Sequence, residues 1–63
     1  MSRLDIFQSY DYFHRSGAQR NLTQEEETFL EYCCEYHDEI CNEDTADNDP
    51  VIQEASRLYG NIP

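Results

Sequence analysis

The chain has 63 residues and a mass of 7.5 kDa, and its 14 Asp and Glu face 4 Arg and no Lys, for a formal net charge of −10 and a pI near 4.2. That length allows one small domain, 1–63, and no large substrate cleft. The charge repels nucleic-acid phosphates and anionic lipid, so neither direct DNA or RNA binding nor membrane binding is expected.

No apolar run reaches the ~18 residues of a membrane span, and Met1-Ser2-Arg3-Leu4-Asp5 lacks the basic start and apolar stretch of a secretory signal. A cytoplasmic protein is the expectation. A mean hydropathy of −0.90 is in the range of disordered chains. The five Tyr and three Phe argue the other way, because they fall at periodic positions.

From Ser2 to Ser16, Leu4, Ile6, Phe7, Tyr10 and Phe13 recur at steps that give a helix one apolar face. Ser2 is the expected N-cap, with Asp5 reaching back to its amide and sitting at the positive end of the helix dipole. Arg15 and Gly17 read as the stop, the glycine taking a left-handed cap conformation. Residues 17–22 are a connection of ordinary length for a helical hairpin.

Thr23-Gln24-Glu25-Glu26 is a capping box that opens a second helix. With no Gly or Pro before residue 43, and Phe29, Leu30, Cys33, His37, Ile40 and Cys41 on one stripe, that helix is predicted to run over 23–43, about 30 Å. Residues 43–49 have no periodicity and form an acidic loop. Asp49-Pro50 then restarts a helix over 50–59, with Val51, Ile52, Ala55, Leu58 and Tyr59 as its apolar side and the last three residues expected to fray. The fold class is therefore all-α: a helical hairpin of two principal helices plus a short third. So small a core, opposed by carboxylate repulsion, commonly finds further burial by pairing, and a homodimer is expected with the first two helices supplying much of the interface.

Cys33, His37 and Cys41 lie four apart and resemble metal ligands. Eight residues of helix span about 12 Å, however, whereas two thiolates on one tetrahedral Zn²⁺ lie about 4 Å apart. The plainer reading makes the cysteines small buried hydrophobes with His37 at the core edge, and no cofactor or metal is expected. The neighbouring Glu31, Glu35, Asp38 and Glu39 raise a thiol pKa rather than lower it, which speaks against a redox or nucleophilic cysteine. Carboxylates are abundant, but acid–base work also needs a cleft that shifts one of them. Nothing in the sequence leads to an enzyme.

Charge pattern is the informative feature: residues 25–49 hold 11 Asp or Glu and not one Arg. A solubilising outer face is the bland reading, yet so many like charges without an i,i+4 cation cost stability. Two functional readings follow. In the first, Glu31, Glu35 and Glu39 steer the protein onto a basic face of a larger protein, with Tyr12 and Tyr36, which fall off the apolar stripes, as anchors. In the second, carboxylates on successive turns, about 5.4 Å apart, imitate DNA phosphates and inhibit a host DNA-binding enzyme.

The segment Asp11-Tyr-Phe-His-Arg-Ser-Gly-Ala-Gln-Arg-Asn-Leu-Thr-Gln-Glu-Glu-Glu-Thr-Phe-Leu-Glu-Tyr-Cys-Cys34, with this length and acidity, resembles the small acidic early proteins that lambdoid phages encode between the recombination exonuclease and excisionase genes. The resemblance covers the whole chain but contains no motif with a chemical signature. It implies a helical, non-enzymatic regulator that binds host machinery during the choice of lytic development, with transcription proteins such as RNA polymerase, or replication proteins, as first candidates. It carries over no site residues.

Overall fold

The computed structural model describes residues 1–17 and 20–63. The middle of the expected 17–22 connection, residues 18 and 19, thus lies outside the described residues. The elements are α1 (Arg3–Ser16), α2 (Gln24–Glu35), α3 (His37–Cys41) and α4 (Pro50–Gly60), with no strand among the described residues. No helix is long and apolar enough to cross a membrane among those residues.

The helix starts follow local chemistry. Ser2 Oγ accepts from the Asp5 amide at 3.1 Å while Asp5 Oδ2 accepts from the Ser2 amide at 3.2 Å, a complete capping box. Thr23 and Glu26 repeat it on α2, with bonds of 3.2 and 2.9 Å. Asp49 caps α4 by accepting from the Val51 amide at 2.9 Å, and Pro50 occupies the first helical position.

The helix expected over 23–43 is two helices. Tyr36, with φ −107° and ψ 29°, ends α2 and opens α3. Its amide still donates to the Tyr32 carbonyl at 3.1 Å and its own carbonyl accepts from the Ile40 amide at 3.0 Å, so the backbone ladder bends here without losing these two bonds. No Gly or Pro marks the position. The Tyr36 ring packs on Tyr32 with centroids 4.7 Å apart, and the redirected turn carries Ile40 to full burial. Tertiary packing here overrides a locally uninterrupted helical pattern.

Two smaller expectations also change. Gly17 has φ −60° and ψ −20°, an ordinary right-handed conformation, and its amide donates to the Phe13 carbonyl at 2.8 Å. The reason for glycine there is space: a Cβ would stand 3.1 Å from the Phe13 carbonyl oxygen and 3.3 Å from Leu22 Cδ1. The C-terminus is tied down, with the Ile62 amide donating to the Tyr59 carbonyl at 3.0 Å and the Ile62 side chain packed on the core.

All four helices contribute to one core of Ile6, Phe13, Phe29, Cys33, Ile40, Ile52 and Ala55. Each helix touches the other three, and α2 packs more extensively on α4 than on α1. Phe13, Phe29 and Tyr59 form an aromatic cluster across α1, α2 and α4, with centroid separations of 5.8, 6.4 and 5.5 Å and edge-on or tilted rings. Leu4, expected on the apolar face of α1, is instead exposed.

Candidate functional site

The arginines determine where charge remains on this molecule. The Arg3 guanidinium donates to the Ile40 carbonyl at 2.6 Å, Arg15 pairs with Asp11 at 3.2 Å, Arg20 with Glu26 at 2.9 Å, and Arg57 with Glu54 at 2.6 Å. Every arginine has a partner within the chain, although the Arg15 and Arg57 pairs lie on the surface. Among the described residues, every carboxylate from Glu27 through Asp49 has no arginine side-chain partner.

Among the described residues, Glu26 is the one buried charged side chain. Arg20 grips it through its two terminal guanidinium nitrogens, at 3.4 and 2.9 Å, and the Thr23 amide donates to the same carboxylate. These bonds, that of Arg20 foremost, hold its pKa down to about 2. Glu26 is thereby a structural pair and contributes nothing to an outward acidic face. At the other end of the acidic region, the carboxyl groups of Glu39 and Asp49 come within hydrogen-bonding reach, which raises the Glu39 pKa above its ordinary value of 4.5. Two negative charges are set side by side there, one from α3 and one from the cap of α4.

Of the five residues expected to contact a partner, Glu31 and Glu35 are exposed on α2, where a four-residue step aligns them with Glu27 along a side opposite the buried Phe29 and Cys33. Glu39 is exposed beside Asp49 on α3. Tyr36, 38% exposed, marks the α2–α3 junction with its ring on Tyr32. Tyr12 stands apart. It neighbours Arg20, at the Glu26 end of α2, and ten residues of helix, about 15 Å, separate that end from Tyr36.

Cys33, His37 and Cys41 do not share one continuous helix, because the break at Tyr36 falls between the first and the other two. Among the described residues no group of three or more His, Cys, Asp and Glu is placed to hold a metal ion. Cys33 is fully buried, and desolvation pushes its thiol up to about 12. Cys34 is exposed and its thiol donates to the Tyr10 hydroxyl at 3.7 Å. The Tyr10 ring also neighbours His14 and His37, with centroids 5.9 and 6.0 Å away. Burial, then the Cys34 contact, raises Tyr10 to about 12. His37 is half exposed, with Nδ1 3.6 Å from Asp38 Oδ1.

Sequence reasoning missed an open groove of about 410 Å³ along α1, with Tyr12 at its edge and Phe13 and Tyr59 among its walls. The available signal was the four-residue spacing of Leu4, Gln8 and Tyr12, which places them on one ridge. Comparison of the chain with family models, with curated proteins and with solved structures finds no match.

Proposed function

We propose that this chain is a non-enzymatic binding protein that presents its α2–α3 side and the acidic loop after it to a basic surface of a larger protein. One observation carries the reading: all four arginines are engaged within the fold, so the carboxylates of this side face outward without a cation. Such a surface accelerates encounter with a positive partner. Tyr36, packed against Tyr32 and partly exposed in the same region, supplies an apolar anchor. Together with the resemblance to early proteins of lambdoid phages, this favours a regulator that binds host machinery, RNA polymerase or replication proteins first, to promote lytic development.

DNA mimicry is the second reading, favoured by the row Glu27, Glu31, Glu35 on one side of α2. Its carboxylates rise about 6 Å per step, but the break at Tyr36 limits the row to three. A contact anchored by an aromatic is therefore the better supported of the two. A second copy of the chain belongs to the same proposal, since a 63-residue core buries little on its own.

Affinity capture from bacterial lysate, washed at low and then moderate salt, tests both readings. A single host complex held through the salt step is expected, with Glu31→Gln, Glu35→Gln and Glu39→Gln together slowing its association. Displacement by duplex DNA and steep loss with salt would favour the mimic. A lysate from which nothing specific is retained would sink both.

A further inference from the structure

We propose that two copies of this chain associate through the outer side of α1, each receiving apolar side chains of the other in the groove beside Tyr12. This rests on the homodimer part of the reading above and is independent of any host target.

Of the four large hydrophobic side chains exposed among the described residues, three belong to α1 and the chain just before it: Met1 at 49%, Leu4 at 50% and Tyr12 at 60%. Leu4, Gln8 and Tyr12 follow one another at four-residue steps, forming a ridge about 12 Å long of the kind that packs into the groove of a second helix. The open groove of about 410 Å³ runs beside that ridge. Ridge and groove on the same side of one helix make a self-complementary surface, as a two-fold interface requires.

Charge selects the occupant. Within α1, Arg3 and Arg15 balance Asp5 and Asp11, so the entire net charge of −10 resides outside this helix. Asp11 is paired with Arg15, and Asp5 is tied into the cap with Ser2. Two copies meeting through α2, α3 or the acidic loop would oppose many carboxylates without an arginine partner, whereas the groove beside α1 is lined by a single carboxylate, Asp5, which is held in the Ser2 cap. A basic partner, conversely, gains nothing from α1 and is drawn to the acidic side. In a two-fold pairing centred on the ridge, Leu4 of one copy meets Tyr12 of the other and the two Gln8 side chains face each other.

Sedimentation equilibrium from about 10 μM to about 1 mM tests this, a range that brackets ordinary weak-to-moderate dimers. The wild-type chain is expected to dimerise, Tyr12→Glu to weaken the dimer roughly 100-fold, and Tyr36→Glu to leave it unchanged. Gln8→Glu and Gln8→Arg should each weaken self-association, and an equimolar mixture of the two should restore it. Because Gln8 is exposed, this pair decides the matter even where circular dichroism shows Tyr12→Glu to be unfolded. A monomer throughout the range, or a dimer indifferent to these changes, would overturn the proposal. So would a monomer whose capture of a basic partner is lost on Tyr12→Glu, which would assign the groove to that partner. The measurement needs no host protein, so an empty lysate capture leaves it standing, and a monomeric result leaves the acidic docking reading standing.

Discussion

The Arg3 guanidinium reaches across 37 positions of sequence to the carbonyl of Ile40, the residue that α3 buries in the core, at 2.6 Å. The Arg3 amide donates to Asp47 Oδ1 at 2.8 Å, so one residue at the start of α1 holds both the end of α3 and the acidic loop. A carbonyl near a helix C-terminus has no intrahelical donor, and a cation there also opposes the negative end of the helix dipole.

Arg3→Met removes that donor and leaves a partly buried carbonyl unpaired. The expected loss is about 1.5–3 kcal/mol, a large share of the ~3–9 kcal/mol that a chain of this length commands at ~0.05–0.15 kcal/mol per residue. Thermal unfolding followed by circular dichroism should show a midpoint lower by about 4–8 °C for each kcal/mol lost. Arg3→Lys should recover part of it. An unchanged midpoint in Arg3→Met would mean that water replaces the guanidinium at no cost.

Glu26 sets the acid side of the stability profile. Its pKa falls from an ordinary 4.5 to about 2 in the fold, chiefly through Arg20 and then the Thr23 amide. The folded state therefore favours the ionised form, and the stabilisation is complete above about pH 4.5 and is lost as the pH falls toward 2. Glu54, lowered by Arg57, acts in the same direction. Glu26→Gln should lower the unfolding midpoint at pH 7 and differ less from wild type as the pH drops. A constant difference across that window would refute the assignment.

Much of the helical content was legible because it rests on neighbours in sequence. Ser2 with Asp5, Thr23 with Glu26, and Asp49 with Pro50 each declare a helix start within four residues, and each start is where the sequence places it. The break at Tyr36 was not legible, for it goes with the burial of Ile40 and a tilted ring contact with Tyr32 rather than with a glycine or proline. Leu4 stands two residues from Ile6 and nine from Phe13, which puts it on the far side of α1 with Gln8 and Tyr12, and only its three-residue step to Phe7 suggested the apolar face. The acidity of the candidate surface was plain in composition. That all four arginines are spent elsewhere was not, because Arg3 finds its acceptor 37 residues away.

The three cysteines should separate by reactivity. Cys33 is buried with its thiol raised to about 12, Cys41 is partly buried and raised by desolvation first, and Cys34 is exposed. Only the thiolate reacts with an alkylating agent, and only where the reagent can reach it. Iodoacetamide at pH 8, followed by mass spectrometry of peptides, should label Cys34 first, Cys41 more slowly, and Cys33 only with global unfolding. Prompt labelling of Cys33 in the native protein would contradict the packing of α2 against the core.

Glu39 and Asp49 should act opposite to Glu26. Their carboxyl groups lie within hydrogen-bonding reach, one on α3 and one capping α4, and the Glu39 pKa is raised from 4.5 by that contact first and by desolvation second. A raised carboxyl pKa means that the fold favours the protonated group: its contribution is present below about pH 4.5 and is lost as the pH rises through the shifted value. At neutral pH the pair is thus a site of repulsion. Glu39→Gln replaces one charge by an amide that can donate to Asp49, so the variant should unfold at a higher temperature than wild type at pH 7. The gain should vanish at pH 3.5 or so, where the native carboxyl already carries a proton. If this repulsion is kept because the acidic surface serves a partner, Glu39→Gln should also slow capture of that partner while stabilising the free protein. A variant less stable than wild type at pH 7 would show that the two carboxylates do not face each other.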